Sequence, residues 1–256
     1  MAAPVVSFDH VCLRYHSAAE ETLALEDLSF QVEPGEFLVI LGPSGCGKST
    51  ILSLIAGLLS PSEGTIRING IEQSGAVKSE IGYMFQHDHL FPWASLRENL
   101  LLGLKVRGEL SPPKKSRVDD MLRQYGLLEF ANRSPRALSG GMRQRAALIR
   151  TLATEPEILL LDEPFSALDY QTRILVSEDI ASIIKQEGKT AIMVTHDISE
   201  ALSLADRILV LSPRPARVSL ELPIDILGKG VILRRASPKF SEYFNLIWKE
   251  LDSCEG

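Results

Sequence analysis

The sequence predicts an α/β protein in which a mostly parallel β-sheet is covered by helices on both faces. Short β-rich runs alternate with helical ones, the order produced when crossover helices join parallel strands. Several of these runs, Phe37–Leu41 and Ile158–Leu161 among them, are apolar without alternation, as strands buried on both faces require.

Taken in chain order, Val5–Phe8 reads as a first strand and Phe37–Leu41 as a buried one. Thr50–Leu59 reads as a helix stopped by Ser60 and Pro61. The stretch from about 88 to 155 breaks the alternation. It is helical in pattern, is punctuated by Ser111-Pro112-Pro113, and reads as an inserted helical lobe. Ile158–Leu161 resumes the strands, Asp169–Glu187 is a helix ended by Gly188, and Thr190–Thr195 and Arg207–Leu211 are strands again. A short tail follows from about 213 to 256. In it Ser237 and Pro238 supply an N-cap and first turn, and Phe240, Phe244, Ile247 and Leu251 follow at helical spacing, which predicts a helix packed back on the domain. Residues 1–256 are expected to form one domain, with no large regulatory domain after it.

With 256 residues, 45% of them hydrophobic, the chain can bury a sizeable core. A net charge of −6 excludes a broad basic field, so no nucleic-acid partner is expected, and Lys114, Lys115 and Arg117 read as a solvated helix face. The apolar runs fall far below the roughly 20 residues that span a bilayer, and MAAPVVSFDH has neither a basic start nor an apolar export segment. Cys12, Cys46 and Cys254 are too few and too scattered for a disulfide framework or a zinc site, a usage that fits a reducing cytosol.

The chemistry begins where Phe37–Leu41 runs into Gly42-Pro43-Ser44-Gly45-Cys46-Gly47-Lys48-Ser49-Thr50 and then a helix. This is the G-x-x-x-x-G-K-[ST] phosphate loop in strand–loop–helix context. Its glycines let successive N–H groups face one anion, the helix N-terminus adds positive potential, Lys48 supplies a full charge, and the Ser49 hydroxyl is a ligand for Mg²⁺. Cys46 fills a permissive position inside the loop, where alkylation would block nucleotide by bulk. At the end of Ile158–Leu161 stand Asp162, suited to hold the metal, and Glu163, suited to polarise an attacking water as general base. A second glycine stretch, LSGGMRQR at 138–145, opens a helix. Its free first-turn N–H groups and the Ser139 hydroxyl make an anion site with no lysine and no metal ligand, able to complete a nucleotide site but not to found one.

Gln86, LSGGMRQR, Asp162-Glu163, Ser166-Ala167-Leu168-Asp169 and His196 follow one phosphate loop in that order. The order resembles the ATP-binding cassette (ABC) ATPases, over about residues 5–211. The resemblance implies a P-loop NTPase (RecA-like) core with an N-terminal antiparallel β subdomain and an inserted helical subdomain. It implies ATP and Mg²⁺ as the bound species, with Ser49, Gln86 and Asp162 toward the metal and Glu163, Gln86 and His196 toward the reacting γ-phosphate and water. Asp169 and the loop Gly42–Thr50 would belong to the nucleotide site. Tyr15 would stack on adenine, although an aromatic before a strand is also a common core residue. Ser139, Gly140 and Gly141 would serve the ATP of an opposing subunit, so that two copies enclose two nucleotides head to tail.

A finer resemblance lies in YMFQHDHLFPW at 83–93, VTHDISEALSLADRILVLSPRPARV at 194–218 and RRASPKFSEYFNLIWKEL at 234–251. These are similar to the nitrate/sulfonate/taurine importer ATPases. That resemblance implies transmembrane permease subunits as partners, an extracytoplasmic substrate-binding protein indirectly, and a peripheral place on the cytoplasmic face of the cell membrane. The segment from Gln86 to about Leu100 would line the groove that receives a permease helix, with Phe91 and Trp93 as aromatic anchors or, alternatively, as packing within the helical lobe. A soluble ABC ATPase of repair or translation type is the competing function. Repair proteins insert a long coiled coil where only about a hundred residues stand here, and translation-type relatives carry two cassettes. A P-loop kinase would explain neither Ser139–Gly141 nor His196.

Overall fold

The computed structural model describes residues 3–16, 21–226 and 230–254. In chain order the elements are β1 (Val6–His16), β2 (Glu21–Val32), β3 (Phe37–Leu41), α1 (Lys48–Ile55), β4 (Glu63–Ile68), β5 (Ile71–Glu72), β6 (Ile81–Met84), α2 (Leu96–Val106), α3 (Pro112–Gln124), α4 (Gly140–Leu152), β7 (Ile158–Asp162), α5 (Tyr170–Gln186), β8 (Thr190–Thr195), α6 (Ile198–Leu204), β9 (Arg207–Leu211), β10 (Val218–Pro223), α7 (Val231–Arg235) and α8 (Pro238–Cys254). They fall into two compact units, Met1–Lys78 with Ile184–Gly256, and Ser79–Ile183.

The first unit contains the expected antiparallel sheet, in the order β2-β1-β4-β5. Its inner face alternates along β2, and Phe8 stacks on Phe30 with ring centroids 4.5 Å apart. Beside it, β3 runs parallel to β8 and β9, every residue of β3 and β8 is buried, and β10 pairs antiparallel with β9. Strand β10 lies in what the sequence suggested was tail: its Val218–Pro223 run is half-exposed and alternating, so it carries no continuous apolar signal. Helices α7 and α8 pack on α6, and Ile247 of α8 is fully buried, so the C-terminal helix does fold back.

Two expected boundaries shift. The first strand runs on to His16 instead of ending at Phe8, because an irregularity between Phe8 and Val11 breaks its alternation; His10 takes φ 51° there. The first helix begins at Lys48 and ends at Ile55, short of Leu59. Gly57 turns the chain at φ 73°, and a Cβ on it would stand 2.5 Å from the Ala76 carbonyl oxygen.

In the second unit β6 and β7 pair in parallel, from Ile81 opposite Ile158 to Met84 opposite Leu161. Helices α2, α3 and α4 lie within 88–155. Helix α2 starts in a capping box, in which the Ser95 side chain accepts from the Glu98 N–H and the Glu98 carboxylate accepts from the Ser95 N–H. Buried Asn99 then holds the preceding loop, accepting from Phe91 N–H at 2.6 Å and donating to the carbonyls of Phe91 and Ser95.

Candidate active site

The first unit carries the phosphate loop. Residues 42–47 connect fully buried Leu41 to α1, whose N-cap is Gly47, a residue with no side chain to satisfy the first-turn N–H groups. Those donors suit an incoming anion. Lys48 is only 6% exposed and folds back over the loop, its Nζ donating to the carbonyls of Gly42 at 2.8 Å and Pro43 at 2.9 Å. The glycines answer to packing as well as to backbone freedom. A Cβ on Gly47 would stand 2.8 Å from Leu25 Cδ2, and Gly45 and Gly47 hold φ 75° and 124°.

Cys46 is buried within this loop at 2% exposure, and burial pushes its thiol pKa up. It is thus a packing residue, in keeping with its reading as the filler of a permissive position, and alkylation there is disfavoured by both access and thiolate content. Tyr15 is 41% exposed, which removes the core alternative for it, and its hydroxyl shares a 3.1 Å hydrogen bond with Thr50 Oγ1 in the first turn of α1. His196 is exposed at the end of β8, just before α6, whose N-cap Asp197 accepts from the N–H groups of Ser199 and Glu200.

The second unit assembles the acid end. Asp162 closes β7, and its Oδ2 accepts from Tyr83 Oη at 3.0 Å, Tyr83 lying opposite Leu160 on β6. Glu163 takes φ 42°, a left-handed backbone that costs a non-glycine residue on the order of 1–3 kcal/mol. Ser166 holds it there. The Ser166 N–H and Oγ both donate to the Glu163 carbonyl, at 3.2 and 3.0 Å, and Gln86 Nε2 donates to Ser166 Oγ at 3.2 Å. Gln86 and the Glu163 backbone are therefore linked through one hydroxyl, although they stand 77 positions apart in the chain.

Ser139 is the N-cap of α4, and its Oγ accepts from the Met142 N–H at 3.3 Å, so the helix begins at Gly140. The N–H groups of the first turn point out of the helix end, as an anion site requires. The two glycines also have a packing reason that the sequence does not display. A Cβ on Gly141 would stand 2.7 Å from Val176 Cγ2 on α5, and one on Gly140 3.0 Å from Leu168 Cδ2. Gly141→Ala is expected to destabilise the protein by about 1–3 kcal/mol in denaturant unfolding, the overpacking penalty exceeding the helix-propensity gain. Gly140→Ala should cost less, because a leucine tip yields more readily than a β-branched side chain; equal, negligible effects would contradict this packing.

Asp169 caps α5, accepting from Thr172 N–H at 3.0 Å, and hydrogen bonds from Thr172 hold its carboxyl below the ordinary range. Two arginines of α4 anchor the loop after Gln86: Arg143 pairs with Asp88 at 3.0 Å, and Arg150 donates to the carbonyls of Asp88 and His89. Sequence reasoning gave no role to Tyr83, Ser166, Arg143 or Arg150, each of which has at least one partner far along the chain. Beyond the loop, Phe91 and Trp93 stack with centroids 4.8 Å apart, and Trp93 is 80% exposed. Trp93 is thus not packed within the lobe.

Among the described residues no group of three or more His, Cys, Asp and Glu could hold a metal ion by itself. Taken unit by unit, the first offers the Ser49 hydroxyl at the start of α1 and the second the Asp162 carboxylate fixed by Tyr83, each a hard oxygen donor of the kind Mg²⁺ accepts. No described helix is long and apolar enough to cross a membrane.

A strand–loop–helix phosphate cradle with its lysine, and a strand ending in two acids, define a P-loop nucleoside triphosphatase. The family model for ABC transporters matches residues 25–166, and the chain belongs to that family. It is 46% identical over 249 residues, 96% of this chain and 95% of the other, to the uncharacterized ABC transporter ATP-binding protein YtlC of Bacillus subtilis. It is 42% identical to the taurine import ATP-binding protein TauB of Rhizobium johnstonii, over 98% of each chain. Among solved structures, the ATP-binding cassette MJ0796, a dimer in a post-hydrolysis state bound to ADP and Pi, superposes with TM-score 0.73 at 33% identity, covering 86% of this chain and 99% of that one. The chain is an ABC ATP-binding subunit that binds and hydrolyses ATP.

Proposed function

We propose that this chain is the ATP-hydrolysing subunit of an importer for a small solute, an anion such as nitrate, a sulfonate or taurine. The observation that carries this reading is the near full-length kinship with taurine import ATP-binding proteins. The exposed Phe91–Trp93 stack beside an arginine-anchored loop adds to it, since exposed aromatic anchors are enriched at interface hot spots. Two copies pair head to tail, and the dimeric state of MJ0796 supports this arrangement. Each phosphate loop then holds one ATP, and Ser139, Gly140 and Gly141 of the opposing copy complete its site.

Mg²⁺ would be held by Ser49, Asp162 and Gln86 together with the phosphates, and it supplies charge neutralisation on the transferred group. The protein's own residues do the rest. Lys48 and the loop N–H groups bind the phosphates, Tyr15 supports the base, Gln86 and His196 orient water and γ-phosphate, and Glu163 takes the proton of the attacking water. Asp169 follows the acid pair at the start of α5 and belongs to the same nucleotide site. ATP binding closes the dimer and draws the permease, through the Gln86–Leu100 segment, toward an outward-facing state; hydrolysis reopens it. The subunit works peripherally, at the cytoplasmic face of the cell membrane, with solute delivered by an extracytoplasmic binding protein.

The reading is tested in proteoliposomes holding the subunit with its permease and binding protein, offered labelled taurine, nitrate and an alkyl sulfonate. ATP-dependent uptake of one of them supports it, and uptake of none rejects the solute class. In the same preparation Trp93→Ala should lower solute-stimulated ATPase by at least about tenfold more than basal ATPase, as loss of an interface anchor of about 2 kcal/mol would. Equal losses in both would mean that Trp93 serves folding.

A further inference from the structure

The turn after β9, residues 212–218, belongs to the 194–218 motif, yet ATP hydrolysis as described assigns it nothing. Together with Leu211, the last residue of β9, it runs beside the phosphate loop. A Cβ on Gly42 would stand 3.2 Å from Leu211 Cβ, the Arg214 guanidinium donates to the Gly45 carbonyl at 3.0 Å, and a Cβ on Gly47 would stand 3.9 Å from Ala216 Cβ. The segment from Leu211 to Ala216 thus touches the loop at Gly42, at the Gly45 carbonyl and at Gly47. The turn is itself clamped. Ser212 N–H donates to the Arg217 carbonyl, Ser212 Oγ accepts from the Arg217 N–H, and Ala216 exchanges two 3.0 Å backbone hydrogen bonds with Ala24 and Glu26 of β2. Arg217 and Glu26 add an ion pair at 2.5 Å. Arg214 therefore reaches the loop from a fixed base.

Its contact bears on the peptide that joins Gly45 to Cys46. The C=O and N–H of a trans peptide point in opposite directions, so a carbonyl held from outside by Arg214 turns the Cys46 N–H inward. The structure shows that orientation: Cys46 N–H donates to the Pro43 carbonyl at 3.4 Å, the same oxygen that Lys48 Nζ approaches. Gly45, at φ 75° and with nothing within 4 Å of a would-be Cβ, has no packed neighbour on that side to hold the peptide in place. A flip of this peptide would present an oxygen, not an N–H, to an incoming phosphate.

We infer that Arg214 is a positioning residue for nucleotide binding: its guanidinium locks the Gly45–Cys46 peptide so that the loop's N–H groups are set for phosphate before nucleotide arrives. The inference rests on the ATPase reading and deepens it. Preorganisation of this kind acts on affinity, since the ordering is then complete in the free protein.

The test compares the purified chain with Arg214→Ala, Arg214→Lys and Lys48→Ala, titrating each with a fluorescent ATP analogue and following unfolding without nucleotide. Arg214→Ala should weaken binding about tenfold, with KM for ATP rising more than kcat falls and the nucleotide-free unfolding midpoint unchanged. Arg214→Lys, whose ammonium donates to the same carbonyl, should recover most of the affinity. Binding by Arg214→Ala within about twofold of the parent overturns the role. So does a weakened Arg214→Ala that also unfolds earlier and is not rescued by lysine, because that marks a merely structural contact. If the parent chain binds no better than Lys48→Ala, the nucleotide reading itself fails, an outcome distinct from either.

Discussion

Lys48→Ala should leave the protein folded and unable to hold ATP, with affinity lowered by about 10²–10⁴. Lys48 is buried, and in the free loop its ammonium is engaged by the carbonyls of Gly42 and Pro43. A triphosphate offers the same ammonium stronger acceptors. Each hydrogen bond to a charged group contributes about 1.5–3 kcal/mol, and losing two gives that range. Lys48→Arg should not rescue, because a planar fork does not fit a slot shaped around a single ammonium between two carbonyls. Calorimetric titration with ATP measures this. Binding by Lys48→Ala within about tenfold of the parent would mean that the phosphates sit elsewhere.

Glu163→Gln separates binding from chemistry. The amide keeps the size of the carboxylate and leaves the Ser166 hydrogen bonds to the Glu163 backbone in place, so the unusual φ of 42° persists. What is lost is the proton acceptor. The expected result is a fall in kcat of about 10²–10⁴ with ATP affinity close to that of the parent. With hydrolysis stopped, saturating Mg-ATP should also accumulate the head-to-tail dimer in light scattering. Unchanged turnover would place the general base at another residue. A variant that stays monomeric both alone and beside its permease would remove the shared-site arrangement.

The sequence discloses the chemistry better than the scaffold. Phe37–Leu41, Thr190–Thr195 and Arg207–Leu211 are strands with the predicted ends, because continuous apolar runs between turn residues have few alternatives. Strands β2, β4, β5, β6 and β10 are missing from the element-by-element reading. Glu21–Val32 mixes charges with apolar residues, and Val218–Pro223 leaves alternate residues in water, so neither stands out from loop on composition. The antiparallel sheet was expected only through the family resemblance. The phosphate loop and the acid pair are legible because phosphate binding and water activation demand particular residue types at fixed spacing.

Side-chain reasons that depend on distant partners are not legible in that way. Nothing local says that Gly141 must leave room for Val176, that Tyr83 will meet Asp162, or that Arg214 will meet Gly45. Cys46 shows the same limit. The sequence marks its position in the loop as permissive, and only the structure shows its thiol buried and packed against Gly42.

The most direct test of the importer reading is to purify the tagged chain from its native membranes in mild detergent and identify what accompanies it. The account predicts a multi-span permease in stoichiometric amount, with or without a binding protein, released when Trp93 and Phe91 are both replaced by alanine. Recovery of the chain only from the soluble fraction, with soluble partners or none, would contradict it.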